Sequence, residues 1–303
     1  MQQGQSPWTP PTAPDIPITR FHTVGIEVYA GSEAPPKHQR RPPRSRYPIL
    51  MQQLANDFWN LRGTFKVAGL LDVGTQLSVV RRTNGRFLVL DSYSPTETQR
   101  QALLGLTAGG TLVDAIINVH PFHTLHCESL HQLLPAARLI GTRRHLQQAP
   151  HLPWDPHVIE DVETQADFAD DLDFTVPAGL ELVPADDNVH ASSVLVRHRR
   201  SGIVHVDDTL SVLAAPGALG KWLPQSGLKF HPTLSRALQP RAGAADAFER
   251  WARALAERWA GTPFVCAAHS AVRELPADGW RDEVLRALHN VQGKLRRHRH
   301  RYG

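Results

Sequence analysis

Three histidines recur at every third position in the stretch Asn118-Val119-His120-Pro121-Phe122-His123-Thr124-Leu125-His126-Cys127. Imidazole is the commonest side-chain metal ligand. The triplet follows a mostly apolar run, Leu112 to Ile117, so the end of a buried strand would present it. With 17 histidines in 303 residues, some clustering is expected by chance, and the triplet has to be weighed together with the rest of the chain. Ligand-type residues recur elsewhere in the same setting. Asp91 closes Phe87-Leu88-Val89-Leu90, Asp207 and Asp208 close Ile203-Val204-His205-Val206, and His269 closes Phe264-Val265-Cys266-Ala267-Ala268. His190 stands alone ahead of the apolar run Ser192 to Val196.

The elements that must carry these residues alternate in kind. From Phe58 the chain reads as short strands, at 65–71, 76–81 and 87–90, with Asn84-Gly85 marking a hairpin between the last two. Ser94-Pro95-Thr96-Glu97 opens a helix to about 104, and 112–119 follows as a buried strand. A helix is expected over 126–134 and a strand over 137–141. The second half repeats the theme, with strands at 172–175, 180–184, 192–198, 202–206 and 264–268 and helices at 245–260 and 278–290. Strands followed by helices, twice over, predict two packed sheets with helices outside. The other histidines, among them His131, His145, His151, His157 and His231, read as packing or solvated residues. Cys127 reads as a small buried thiol and Cys266 as strand core.

Composition sets the frame. The chain is 41% hydrophobic and 20% charged, and no run approaches the roughly 18 apolar residues of a membrane span. Two cysteines rule out a disulfide framework, and the N-terminus lacks the pattern of a secretory signal, so the expected location is cytoplasmic. Residues 1–46, rich in Pro, Gln and Arg, read as an N-terminal extension, with a short edge strand at Val24, Ile26 and Val28. Residues 47–290 read as the folded domain, and residues 291–303 as a basic C-terminal tail. The segments 37–46 and 294–301 each hold five Lys or Arg and no acid. They supply ten positive charges to a chain of net charge +4, leaving the remainder six units negative. Such tails can hold phosphates, but no Phe, Tyr or Trp is interleaved with them for base stacking. A nucleic-acid partner is therefore the weaker expectation beside a small-molecule substrate, and the oligomeric state is not legible. No phosphate-cradling loop or dinucleotide fingerprint is present.

In this order the markers resemble the metallo-β-lactamase superfamily of metal-dependent hydrolases. They are a strand-end aspartate (Asp91), a His-rich loop (His120, His123, His126), an isolated histidine (His190), an Asp-Thr-Leu after a strand (Asp208-Thr209-Leu210) and a late strand-end histidine (His269). The resemblance covers about residues 58–272. It implies an α/β protein, a four-layer αββα sandwich with a metal site at one edge of the two sheets. It further implies one metal position using His120, His123 and His190, and a second using His126 and His269, with Asp208 bridging them. Zinc is the expected ion, with iron or manganese also suited to this donor set. The implied chemistry is a metal-bound water of pKa roughly 7 attacking a carbonyl or phosphorus centre, with Asp208 in the catalytic role and Asp207 as a loop cap or support.

The chain also departs from the family loop, His-x-His-x-Asp-His. Leu125 stands where that pattern has its aspartate, Pro121 where it has its first histidine, and His120 falls one residue early. Leucine neither ligates a cation nor accepts a proton. Two readings follow: a metal-dependent hydrolase, or a catalytically degenerate member of that fold that binds a metal or ligand.

Overall fold

A computed structural model describes residues 51–63, 66–67, 71–72, 74–212, 227–268 and 272–303. The edge strand expected at 24–28, the basic run 37–46 and His269 lie outside the described residues. The first half runs β1 (Gln52–Ala55), β2 (Phe58–Gly63), β3 (Lys66–Val67), β4 (Leu71–Asp72), β5 (Thr75–Arg81), β6 (Phe87–Leu90), α1 (Glu97–Leu106), β7 (Val113–Ile117), α2 (Cys127–Leu133) and β8 (Arg138–Ile140). The second half begins α3 (Arg143–Gln148), α4 (Val162–Ala166), β9 (Leu172–Thr175), β10 (Leu195–His198), β11 (Val204–Val206), β12 (Leu210–Val212) and β13 (Leu228–Phe230). It ends with α5 (Leu234–Ala237), α6 (Ala244–Arg258), β14 (Phe264–Ala267), β15 (Val272–Glu274) and α7 (Gly279–Tyr302).

Two large sheets form, ordered β1-β2-β5-β6-β7-β8 and β15-β14-β11-β10-β9. Strand periodicity then sorts the apolar residues into three slabs. On β6, Phe87 and Val89 face outward with Trp59, Val79, Leu103 of α1 and Leu130 of α2. Their neighbours Leu88 and Leu90 face inward, with Phe58, Val80 and Ile117, against Leu172, Val194, Val196 and Cys266 of the second sheet. The second sheet's outer face, Val204, Val206, Val265 and Ala267, packs under Phe248 and Leu255 of α6 and Trp280, Val284 and Leu288 of α7. The resulting order, helices, sheet, sheet, helices, is the αββα sandwich expected from the sequence.

Local signals act as anticipated where their chemistry is self-contained. Asn84-Gly85 turns β5 into β6, with Gly85 at φ +82° and its N–H bonded to the Arg82 carbonyl. Thr96 caps α1 through a reciprocal box with Gln99. Three expectations change. In place of one strand over 65–71, β3 and β4 pair antiparallel with each other in a sheet of their own. The segment 180–184 makes a single bridge, Leu180 to Leu238, and forms no strand; Pro184 cannot donate to a ladder. The helix expected over 278–290 continues to Tyr302, so the basic run 294–301 is helical. Leu295 and Val291 on its inner face dock in the slab on the second sheet's outer face, which supplies the packing that a solvated tail would lack.

The strands that matter for the site are the parallel ones. β6, β7 and β8 run parallel in the first sheet, and β11 and β14 in the second. Their carboxyl ends deliver Asp91, the 118–126 loop, Asp207 and Ala268 to one edge, where open α/β sheets characteristically place ligands.

Candidate metal centre

The inter-sheet slab gives up its apolar character at this edge. Asn60, Gln76, Ser78 and His205 alternate with core residues on β2, β5 and β11 and point between the sheets. Buried polar groups require partners, and these form one directional chain. Asn60 Nδ2 donates to Gln76 Oε1 and Ser78 Oγ, and Ser78 Oγ meets His205 Nδ1 at 2.9 Å. His205 Nε2 meets Asp91 Oδ2 at 2.8 Å, and the other Asp91 oxygen accepts the Val119 N–H at 2.8 Å. Burial opposes ionisation of Asp91, but the hydrogen bond and charge of His205 and the Val119 N–H hold its pKa below the usual carboxylate range. Ser78, His205 and Asp91 have the atom types of a hydrolytic triad, yet Ser78 and His205 are completely sealed from solvent, so the row fixes the loop that Val119 begins.

A second tie crosses between the sheets. Gln76 Nε2 donates to the Val206 and Cys266 carbonyls, and the Arg62 guanidinium donates to those of Ala267 and Ala268. Both residues hold the strand ends that lead into Asp207 and Ala268.

Above this scaffold, His120, His123 and Asp207 each offer a ligand atom, and these atoms lie within 4.8 Å of one another. Asp207 Oδ2 is 2.6 Å from His123 Nδ1, and Asp208 Oδ2 is 3.2 Å from His120 Nε2. The imidazoles of His120 and His123 lie 4.2 Å apart by ring centroid. The sequence favours Asp208 with Asp207 in support; both carboxylates reach the imidazoles, and Asp207 is the one that closes the three-residue group. His120 is fully buried, and its Nε2 makes no hydrogen bond of acceptable geometry despite the nearby Asp208 oxygen. Such an orphaned nitrogen beside a carboxylate fits a cation. Its Nδ1 accepts the Phe122 N–H at 3.2 Å. A neutral imidazole accepting there carries its proton on Nε2, so ligation through Nε2 requires Phe122 to release Nδ1.

The remaining expected residues stand apart from that group. His126 occupies the N-cap position of α2 without a side-chain capping bond, meets Ser94 Oγ at 2.9 Å through Nδ1, and packs edge-on to Tyr93. Burial and the neighbouring His123 charge lower its pKa, and its Nε2 is buried without a hydrogen-bond partner among the described residues. His190 stacks on Phe122 at 4.4 Å, 6.1 Å from the His120 ring, with its Nε2 on the Asp187 carbonyl. Arg144 lies over the Phe122 ring, 4.3 Å from its centroid, and pairs with Asp187. Cys127 is buried behind the loop, where burial pushes its thiol up to about 12; it is no ready thiolate ligand. The cluster opens onto a cleft lined by Asp91, Phe122, His123, Leu125, His126 and Asp207. Sequence reasoning missed Asn60, Arg62, Gln76, Ser78 and His205, whose polar types at inward strand positions were the available signal.

No family model matches the chain, and no curated protein matches it. Solved structures do. A metallo-β-lactamase from Erythrobacter litoralis, crystallised with β-mercaptoethanol in its active site, matches at 14% identity and TM-score 0.52, over 79% of this chain and 96% of that one. The metallo-β-lactamase FIM-1 from Pseudomonas aeruginosa, in its mono-zinc form, matches at 12% identity and TM-score 0.52, over 81% and 96%. The chain has the metallo-β-lactamase fold. The His/Asp group lies at the end of the parallel strands of this metallo-β-lactamase fold. At these identities the likeness establishes architecture, and chemistry has to be argued from the site. Among the described residues, no helix is long and apolar enough to cross a membrane.

Proposed function

We propose that the chain is a metal-dependent hydrolase of small molecules, with its cation held by His120, His123 and Asp207. The convergence of these three donors within 4.8 Å, at the mouth of a cleft, carries the reading. Two imidazoles and a carboxylate suit zinc, iron or manganese; the mono-zinc form of the structurally similar FIM-1 supports zinc as the first ion to test. A bound cation would supply Lewis acidity and lower the pKa of a water to roughly 7. Asp208 Oδ2, beside His120 Nε2, is assigned to hold the proton taken from that water. Asp207 Oδ2 and His123 Nδ1, 2.6 Å apart, are assigned to the same cation, and Phe122 and Leu125 form part of the cleft lining. His126, with its unpartnered Nε2, and His269 are assigned to a second position, and His190 joins the first on leaving Phe122.

A second reading, a metal- or ligand-binding protein without turnover, is favoured by one observation. Leu125 is 71% exposed, on the cleft lining at the sequence position where the resembled loop carries an aspartate. Elemental analysis of the full chain after reconstitution with zinc, iron or manganese tests both readings. We expect at least one equivalent of one ion, with affinity falling at least tenfold in His123→Ala and Asp207→Ala. Trace metal in every preparation would sink the hydrolase and the metal-binding form of the second reading. Turnover of an ester, thioester or phosphodiester that disappears in Asp208→Ala selects the hydrolase; stoichiometric metal with no turnover selects the binding protein.

A further inference from the structure

Away from the cleft, the basic run of α7 divides by helical face. Lys294, Arg297, His298, Arg301 and Tyr302 fall at i, i+3, i+4, i+7 and i+8, on one stripe. The stripe forms one wall of a groove of about 1160 Å³, open mouth included, whose other wall holds Arg236. Arg299 points elsewhere and is neutralised by Asp246 and Glu249 of α6, both at 2.7 Å. Arg297 and Arg301 have no carboxylate partner among the described residues. Arg236 pairs with Asp186, and Glu181 is the one acid lining the groove among the described residues.

Cations near a helix C-terminus complement its dipole, which explains a basic end but not a concave one. Two further observations ask for a ligand. Lys294, pinned to the Pro232 carbonyl at 2.7 Å, has its pKa lowered by burial and by the charge of Arg297, so the groove gathers like charges at a cost. Tyr302 stands against His298, with ring centroids 4.7 Å apart, and under Arg301, an aromatic surface at the end of the cationic stripe.

We propose that this groove binds a ligand carrying a pyrophosphate or longer polyphosphate, as a nucleoside di- or triphosphate does. Arg297 and Arg301, one turn apart and so about 5–6 Å between Cβ atoms, present two guanidinium forks to adjacent phosphates. The stripe covers about 12 Å of helix axis, the reach of a few linked phosphates rather than of a nucleic-acid strand.

Calorimetric titration of the full chain at low ionic strength tests this, with inorganic phosphate, pyrophosphate, ADP and a ten-nucleotide single-stranded RNA as probes. Pyrophosphate and ADP should bind with submillimolar Kd, at least tenfold tighter than phosphate. The Arg297→Ala/Arg301→Ala variant should lose at least tenfold in pyrophosphate affinity with an unchanged melting temperature, while His123→Ala binds as the parent does. If the double variant fails to fold, Arg297→Gln and Arg301→Gln are each expected to weaken binding. Absence of pyrophosphate binding, or binding indifferent to these arginines, overturns the proposal. RNA binding tighter than pyrophosphate through the same arginines also overturns it, in favour of a nucleic-acid surface.

Discussion

At the scale of single residues, Asp91 concentrates two demands. Its φ of +59° lies in the left-handed region, which Asp and Asn tolerate better than other non-glycine residues. Both its carboxylate oxygens are committed, one to Val119 N–H and one to His205 Nε2. Asp91→Ala therefore strains the backbone and strands two buried donors, and should cost about 3–5 kcal/mol in urea unfolding. Asp91→Asn keeps the backbone preference and one acceptor, and should cost distinctly less. An alanine variant within 1 kcal/mol of the parent, a margin on the order of one ordinary hydrogen bond, would show that the row of polar groups carries no weight. The aspartate itself was visible in the sequence as a residue closing an apolar run. Its partner was not, because His205 sits 114 residues away on a strand that reads as ordinary core. The choice between Asp207 and Asp208 was equally closed to sequence reading, since adjacent residues leaving a strand differ only in direction.

At the scale of elements, the strand ends are positioned by side chains of the opposite sheet. Arg62 and Gln76 reach across to carbonyls on β11, β14 and Ala268, and the Ala268 N–H in turn bonds the Val206 carbonyl. Removing the guanidinium while keeping the stem, as in Arg62→Met, should loosen that corner before the whole sandwich. Hydrogen exchange at the Ala268 amide should rise at least tenfold, with a global cost of about 1–3 kcal/mol. Unchanged exchange at Ala268 in a destabilised variant would assign Arg62 to general packing instead. Strands and helices with a local signal, such as the Asn84-Gly85 hairpin and the Thr96 cap, were legible from neighbouring residues. The extension of α7 to Tyr302 was not, because the charged run 294–301 hides an inner stripe whose partners on the second sheet lie far away in sequence.

For the molecule as a whole, two buried histidines set an acid limit. His145 caps α3 by accepting the Thr142 N–H on Nδ1 at 3.0 Å, and burial lowers its pKa to about 4. Burial, together with the charge of Arg200, lowers that of His198 to about 4 as well. Because the folded values lie below the unfolded value of about 6.5, protonation favours the unfolded chain. The associated stability is complete above pH 6.5 and is lost as pH falls toward 4. Each histidine should contribute a loss on the order of 2 kcal/mol between pH 7 and 4.5. Urea unfolding at the two pH values should show a correspondingly smaller loss in His198→Gln; an identical loss would remove His198 from the account. The three apolar slabs of the sandwich carry a different consequence. Each is filled by its own residues, and a strand contributes alternate side chains to two slabs without joining them. A substitution in one slab can be answered by its immediate neighbours and leave the other two untouched, provided volume and pattern survive. Such compartments let many different residue sets fill the same frame, which is how two chains that are only 14% identical can share one architecture.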